Sequence, residues 1–255
     1  MTFSVLFWNV WLDNQINGAA GATRLLNEIK RIVNTHKPDI IGLNEVLQSK
    51  LQSSPFILDL LEQQGYTYND YAPASPLNEN WMIGTALCSR HKLSTVNDVV
   101  ISKDTPAEKR GYPNCGLKAI TTTVTMPGDH SLNIIVAHPM HLRKHTLKDH
   151  YEGTANLERL IRSKEFSKNT ILGGDFNEPG FMPKAFKSTV SDIMEFRTGS
   201  TTKPTWHHNA HRFTPIRANL DQLYWTKNSK FTLKEFEVLN TRVSDHRPIF
   251  ATFEY

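Results

Sequence analysis

Acidic, amide and imidazole side chains recur at the ends of the apolar segments of this 255-residue chain. In the stretch ILGGDFNEPG, an extended backbone would direct Asp175 and Asn177 to one face, because side chains alternate along a strand. In SDHRP, Asp245 stands directly before His246. An ordinary turn is the alternative for ILGGDFNEPG, since Gly, Asp, Asn and Pro are common turn residues. The recurrence of such residues along the chain, rather than any one segment, favours a site.

The residue types in this set suit one kind of chemistry. The full set comprises Asn9, Asn44, Glu45, His138, Asp175, Asn177, Asp221, Asp245 and His246. Carboxylates without thiolates suit a hard cation such as Mg²⁺, for which Mn²⁺ can substitute. A carboxylate near an imidazole favours the charged imidazole, and a charged imidazole with a cation matches the charge of a phosphoryl group under in-line attack. The set therefore predicts hydrolysis of a phosphate ester.

The elements that must position these residues are short strands and three helices. Eight apolar segments rich in β-branched and aromatic residues predict strands: FSVLFWN, DIIGLNE, GTALCS, LKAITTTVTM, SLNIIVAH, TILGGDFN, NLDQLYW and RPIFATFEY. Helical periodicity and helix-end signals predict helices within residues 22–39, 55–65 and about 148–166. Because no Pro or Ser-rich linker divides the chain, we expect one α/β domain over residues 1–255, with a mixed sheet or two packed sheets and helices outside.

Composition and charge set limits on the function. The 29 Lys and Arg against 25 Asp and Glu give a net charge of +4, which is compatible with a phosphate-bearing partner. With 39% hydrophobic and 21% charged residues, the chain is not expected to be mainly disordered. The N-terminal stretch MTFSVLFWNVWLDN has no basic residue before its apolar run, and no segment approaches the roughly 20 apolar residues of a membrane span. We expect a cytoplasmic protein without integral membrane association or an obligate protein partner.

Cysteine and histidine spacings give weaker signals. Cys88 and Cys115 lack C-x-x-C spacing, so neither a disulfide framework nor a thiolate zinc site is indicated. His141 and His145 are spaced for one face of a helix, which leaves zinc as a lesser alternative. The strand that ends at His138 explains that histidine better than a zinc site does.

The motifs WN, NE, AHPMH, GGDFN, NLDQLYW and SDHRP, in this order, resemble those of the endonuclease/exonuclease/phosphatase superfamily, which has the DNase I-like fold. GGDFN and SDHRP together are the specific part of the resemblance, which spans residues 9–247. It implies a four-layer α/β sandwich, in which two mixed β-sheets pack face to face with helices outside. It also places the site at one edge of the sheets.

The resemblance further implies roles for the metal-site and water-positioning residues. Glu45 would be the main Mg²⁺ ligand, with Asn9 and Asp245 beside the metal. Asp175 would orient or deprotonate the attacking water, and Asn177 would be its partner in positioning water and phosphate.

The same resemblance assigns the phosphate-facing residues. His246 would bind the phosphate, oriented and kept charged by Asp221, and His138 would contact the phosphate or the leaving group. Glu79 stands where nuclease members carry a carboxylate that orients this second histidine, and an exposed loop glutamate is the alternative.

Three further residues are candidates for substrate binding. Arg110 precedes a strand that resembles the family's segment with phosphate-facing basic groups, and a surface arginine is the alternative. Arg143 would form a basic rim with Lys144 and Lys148. Trp206 would stack a nucleic-acid base, or else it fills the edge of the sandwich.

The motif residues are shared among nucleases, abasic-site endonucleases, sphingomyelinases, inositol-polyphosphate phosphatases and enzymes that remove tyrosyl adducts from DNA ends. VWLDNQ after Asn9, and His138 where abasic-site enzymes usually carry tyrosine, disfavour an abasic-site role. Residues 194–225 resemble the tyrosyl-adduct enzymes in placing Thr-Trp ahead of the metal-site strand. A phosphodiester substrate in nucleic acid is therefore favoured. A sphingomyelinase-like or inositol-phosphate phosphoesterase, and a catalytically inactive binding protein on the same fold, are the alternatives.

Overall fold

Two six-stranded mixed sheets form the framework of the protein. The computed structural model describes residues 1–10, 19–103, 116–139, 147–178, 185–208, 216–241 and 243–255. Sheet A contains, in spatial order, β13 (Thr232–Val238), β14 (Ile249–Glu254), β1 (Thr2–Asn9), β2 (Ile40–Ser49), β4 (Trp81–Ser89) and β3 (Tyr68–Pro76). Sheet B contains β5 (Asn97–Lys103), β6 (Gly116–Met126), β7 (His130–Val136), β8 (Thr170–Asp175), β12 (Asp221–Thr226) and β9 (Met194–Thr198). A small ribbon pairs β10 (Trp206–His208) with β11 (Ile216–Ala218).

An apolar layer lies between the two sheets. It contains alternate residues of the strands, among them Phe3, Val5 and Phe7 of β1, Ile134 and Val136 of β7, and Leu223 and Trp225 of β12. The Phe7 ring is so close to the backbone of β2 and β8 that a Cβ added at Gly42 or Gly173 would lie 2.6 or 2.4 Å from it. Because Gly42 and Gly173 have no side chain, the Phe7 ring can pack directly against the backbone of both sheets.

Helices cover the outer faces of both sheets. Helices α1 (Ala19–His36) and α2 (Phe56–Gln63) pack their apolar faces on sheet A. Helices α3 (Leu147–Arg162) and α4 (Phe186–Thr189) pack on sheet B. The predicted α/β sandwich is confirmed, and the three predicted helices correspond to α1, α2 and α3.

The predicted strands are the inner strands of the sheets. All eight predicted segments fall on β14, β1, β2 and β4 of sheet A and on β6, β7, β8 and β12 of sheet B. The four edge strands, β3, β5, β9 and β13, were not predicted. An edge strand pairs on one side only and carries more polar residues, so its apolar alternation is weaker. Pro73 and Pro76 also weaken the strand pattern of β3 in the sequence, because proline is rare in strands other than those at sheet edges.

Polar side chains continue the inner faces of the strands at one edge of the sandwich. β1 and β2 run parallel, as do β7 and β8. The carboxyl ends of each pair therefore lie at the same edge of their sheet. Two positions after the inner-facing residues Phe7, Gly42, Val136 and Gly173 come Asn9, Asn44, His138 and Asp175. Side chains alternate along a strand, so the apolar layer ends in a polar cluster at this edge.

Within the part of the chain that the structure describes, no helix has the length and apolar character needed to cross a bilayer.

Replacing Gly174 tests the close approach of the chains at the site. Gly174→Ala is expected to lower the free energy of unfolding by about 2 to 4 kcal/mol, because the new Cβ would lie 2.0 Å from the Ala137 carbonyl oxygen at a φ of 143°. The control is Gly128→Ala, which has a φ of 74° but no contact closer than 3.4 Å. It should cost about 1 kcal/mol. Urea unfolding measures both, and equal losses would contradict a tight approach at Gly174.

Candidate active site

Asp175 occupies the centre of the polar cluster. It ends β8, it is 1% exposed, and its Oδ2 accepts a hydrogen bond of 3.0 Å from Asn9 Nδ2. The Nε2 atoms of His138 and His246 each lie 3.6 Å from the same oxygen. Burial alone would raise the pKa of Asp175, but the charges of His246 and His138 and the hydrogen bonds from Asn177 and Asn9 outweigh it and lower the pKa. Asp175 is thus an ionised carboxylate between two imidazoles.

Glu45 reaches this cluster through a β-bulge. The register of β2 against β4 shifts between Leu43 and Val46, and Glu45 has a φ of 58°. In a regular strand Glu45 would face α1 and α2 like Leu43; at the bulge its Oε1 instead accepts a hydrogen bond of 3.1 Å from Asn9 Nδ2. The expectation that the strand ends at Glu45 was wrong, because β2 continues to Ser49. The bulge re-aims the side chain without ending the strand.

Asn44 ties the two sheets together beside the site. It is fully buried, and its Oδ1 accepts a hydrogen bond of 2.9 Å from the backbone N–H of Asp175. Its Nδ2 lies 3.5 Å from Thr85 Oγ1 on β4. Sequence reasoning placed Asn44 in a motif but gave it no role. The available signal was a buried amide within an apolar strand, because such a group requires hydrogen-bond partners.

His246 and Asp221 form a buried pair. The Nδ1 of His246 lies 2.8 Å from Asp221 Oδ2, and both residues are at most 5% exposed. Burial lowers the pKa of His246, but the negative charges of Asp221 and Asp175 outweigh it and raise that pKa above its usual range. Burial also raises the pKa of Asp221, against the opposing charge of His246. At neutral pH the pair is an imidazolium with a carboxylate, and the Nε2–H of His246 faces Asp175.

Several backbone and hydroxyl contacts fix this pair. The N–H of Asp221 donates to Thr205 Oγ1 at 3.0 Å, and the N–H of His246 donates to Ser244 Oγ at 3.0 Å. Ser244 Oγ in turn donates to the carbonyl oxygen of Asn9 at 2.8 Å. The imidazole position is therefore linked directly to the end of β1.

Asp245 presents one engaged and one open carboxylate oxygen. Trp206 Nε1 donates to Asp245 Oδ2 at 3.0 Å, whereas Oδ1 is buried and accepts no hydrogen bond from any described residue. Oδ1 lies 4.0 Å from His246 Nε2. Burial raises the pKa of Asp245, although the charge of His246 opposes the shift. An open, buried carboxylate oxygen of this kind is suited to a cation or to a donor of the substrate.

Asn177 belongs to a turn as well as to the site. Its backbone has a φ of 52°, so the expected extended conformation over 175–177 was wrong. Its N–H donates to Asp175 Oδ1 at 2.8 Å, as in the turns that aspartate forms with its own backbone. Its Nδ2 donates to the carbonyl oxygen of Pro139 at 3.0 Å, directly after His138. Asn177 therefore forms the turn after Asp175 and also contacts the chain next to His138.

The model of the Endonuclease/Exonuclease/phosphatase family matches residues 6–246 of the chain. The chain belongs to this family. Solved structures share the fold at low identity, and no curated protein sequence matches. An endonuclease/exonuclease/phosphatase family protein from Leptotrichia buccalis C-1013-b is 18% identical, with a TM-score of 0.74 and coverage of 99% of this chain and 100% of that chain. ANGEL2, a 2',3'-cyclic phosphatase, is 13% identical, with a TM-score of 0.71 and coverage of 99% and 95%. D. rerio TDP2 complexed with single strand DNA product is 15% identical, with a TM-score of 0.65 and coverage of 100% and 99%.

In this family member, the structure brings together every site residue predicted at the strand ends. Of the residues predicted to bind substrate, only Trp206 lies in the described part of the structure. Trp206 is half-buried beside the site and uses its indole N–H on Asp245. Arg110 and Arg143 lie outside the described residues. Glu79 is exposed in the turn between β3 and β4 and, among the described residues, makes no hydrogen bond or ion pair with His138.

The residues of the family site fit a divalent cation. Ligand atoms of Glu45, His138 and Asp175 lie within 4.8 Å of one another, and Asp245 adds its open oxygen. The predicted set was Glu45, Asn9 and Asp245, so Glu45 and Asp245 are common to both groups. Asn9 instead directs its amide nitrogen at the carboxylates of Glu45 and Asp175. Carboxylate oxygens are the donors that Mg²⁺ and Mn²⁺ prefer.

The charge of His246 can be tested by NMR titration of the metal-free protein. Asp221→Asn should lower the pKa of His246 by roughly 1 to 3 units, because an adjacent carboxylate that favours the imidazolium is removed. Asp192→Asn, which removes an exposed carboxylate paired with Arg162, is the control variant, in which the His246 titration should not change. An unchanged titration of His246 would show that Asp221 does not hold its charge.

Asn44→Ala should weaken the join between the sheets. The loss of a buried acceptor for the Asp175 N–H is expected to lower the free energy of unfolding by about 1 to 3 kcal/mol. Hydrogen exchange of the Asp175 amide should also become faster. Asn133→Ala, which removes a side chain bonded to the Glu165 and Lys168 carbonyls, should destabilise the protein without this local effect. Unchanged protection at Asp175 in Asn44→Ala would contradict the assignment.

Proposed function

We propose that this protein is a divalent-metal-dependent phosphodiester hydrolase that acts on nucleic acid through in-line attack by water. The observation that carries the proposal is the ionised Asp175 carboxylate, which is held between the imidazoles of His138 and His246 and beside Glu45. Asp175, Asp221 and His246 are buried in this cluster, and Glu45, His138 and Asp245 are half-buried beside them. The desolvation cost of grouping these side chains favours a catalytic role over a binding protein.

Each side chain has a defined task in the proposed reaction. Asp175 Oδ2 orients the attacking water and accepts its proton. His246, held charged by Asp221, donates from Nε2 to a phosphoryl oxygen as negative charge accumulates there. His138 lies on the other side of the same carboxylate and contacts the phosphate or the leaving oxygen. Asn177 positions the turn that carries Asp175.

A metal ion completes the proposed site. Glu45 is its central ligand in the proposal, with the open Oδ1 of Asp245 next to it. Mg²⁺, or Mn²⁺ in its place, would supply Lewis-acid charge to the phosphoryl oxygens when bound. Asn9 keeps the carboxylates of Glu45 and Asp175 together by donating to both.

The choice of nucleic acid as substrate has three supports. One structurally similar protein is described as a 2',3'-cyclic phosphatase, and another was solved with a single strand DNA product. The net charge of +4 favours a polyanion. The β10–β11 ribbon adjoins the site through the pairing of Trp206 with His246, and it carries the exposed Arg217.

Asp175→Asn tests the catalytic assignment. Turnover of bis-(p-nitrophenyl) phosphate with Mg²⁺ should fall by about 10²- to 10⁴-fold, because the amide cannot accept the proton of the water. Asp192→Asn is the matched control, since Asp192 is an exposed carboxylate that pairs with Arg162 on the surface. Its activity should equal that of the wild type. Full activity of Asp175→Asn would refute the role of Asp175.

Metal removal and a substrate panel test the remaining parts of the proposal. A chelator should abolish release of nitrophenol, and added Mg²⁺ or Mn²⁺ should restore it, because the phosphoryl charge would otherwise lack its counter-ion. Plasmid DNA, a 5′-tyrosyl oligonucleotide, sphingomyelin and an inositol phosphate are then compared by kcat/KM. We expect a nucleic-acid substrate to rank first. Preferred cleavage of sphingomyelin or of the inositol phosphate would replace the proposed substrate class.

A further inference from the structure

A second buried pair of ionisable side chains lies behind the site. His150, in the first turns of α3, is fully buried, and Glu178 is 2% exposed. His150 Nε2 lies 3.2 Å from Glu178 Oε1. The proposed reaction assigns no task to either residue. Because burying such groups is costly, the pair calls for a structural or positioning reason.

Glu178 joins three segments of the chain. It directly follows Asn177, its two oxygens each accept a hydrogen bond of 2.9 Å from the N–H of Phe186, and Oε1 also contacts His150. Phe186 is the first residue of α4. The end of β8 is thereby fastened to the start of α4 and to α3.

Asn177 makes the complementary contact on the opposite side. Its Nδ2 donates to the carbonyl oxygen of Pro139, which follows His138. The consecutive residues Asn177 and Glu178 thus hold the chain directly after His138 and the helix that contains His150. With a φ of 52°, Asn177 is in the left-handed region, which asparagine tolerates better than most non-glycine residues, and its hydrogen bonds to Asp175 and Pro139 hold it there.

We propose that His150 is a positioning residue for the hydrolysis proposed above. Its contact with Glu178 fixes the residue after Asn177. His150 thereby keeps the Asn177 turn in a fixed position relative to Asp175 and His138. His150 itself does not touch the reacting atoms. This inference rests on the proposed function for its kinetic consequences and on the contacts of Glu178 for its structural ones.

The kinetic test replaces the imidazole with side chains of similar size. His150→Phe removes the partner of Glu178 and should lower kcat for bis-(p-nitrophenyl) phosphate by about tenfold or more, with KM changed less than about threefold. His150→Gln places an amide donor near the position of Nε2 and should recover kcat to within about threefold of the wild type. Rescue by this variant separates positioning from a general loss of packing.

The control uses another histidine and carboxylate pair that is remote from the site. His91 Nε2 lies 3.0 Å from Asp39 Oδ1, and Asp39 precedes β2 at the end opposite Asn44. His91→Phe should lower the thermal midpoint of unfolding but leave kcat unchanged. Equal losses of kcat in His91→Phe and His150→Phe would overturn the proposal, because the effect would then follow stability alone.

A readout without turnover separates this inference from the proposed function. In ¹⁵N NMR spectra, assigned with Asn177→Asp, the side-chain amide of Asn177 should shift in His150→Phe and not in His91→Phe. If that signal moves while the wild type hydrolyses none of the substrates, the proposed function fails and the positional link is supported. If kcat and the Asn177 signal are both unchanged in folded His150→Phe, the inference is refuted.

Glu178→Gln keeps the test decisive if His150→Phe does not fold. This variant retains an acceptor for the Phe186 N–H but removes the carboxylate that faces His150. It should lower kcat by about threefold or more and shift the Asn177 amide signal. Wild-type kcat together with an unshifted signal in Glu178→Gln would refute the role of His150.

Discussion

The hydrogen bond from the backbone N–H of Asp175 to Asn44 Oδ1 is the contact on which the site depends, because it joins the two sheets at their functional edge. Residues of sheet A, among them Asn9 and Glu45, can meet residues of sheet B only where the sheets come this close. Gly174 makes the approach possible, since any Cβ there would collide with Ala137 and crowd Asn44. Burial of the apolar layer holds the two sheets together. The hydrogen bond from Asp175 to Asn44 sets the distance between them at the edge that contains the site.

The electrostatics of the site follow from that spacing. Asp175 and Asp221 are buried acidic groups, and each would resist ionisation alone. The shared imidazolium of His246 compensates for both, and the amide of Asn9 links Asp175 to Glu45. The arrangement is a set of fixed charges and dipoles at one edge of the sandwich. In enzymes, preorganisation of this kind is usually the largest single contribution to catalysis.

The helices on the outer face of sheet B contribute to the site from a distance. Through Glu178, helices α3 and α4 hold the turn that follows Asp175, while Asn177 holds the residue after His138. A rigid surround of this type holds the side chains of a site in fixed positions. The outer layers of the sandwich thus cover the sheets and also contact the turn beside the site.

The sequence by itself determined the inner strands and the polar residues that meet at their ends. Asp175, His246 and their companions were found from residue type and order, because a two-residue apolar alternation that ends in polar groups is a local pattern. The tertiary structure decided what depends on contacts between distant parts of the chain: the edge strands, the bulge that turns Glu45 into the site, the αL conformation of Asn177 and the contacts of Asn44 and His150. Asn44 and Asp175 are 131 residues apart, and no local pattern records which backbone N–H a buried amide will meet. Propensity and periodicity act over a few residues, whereas a hydrogen bond across two sheets is fixed only when both sheets have formed.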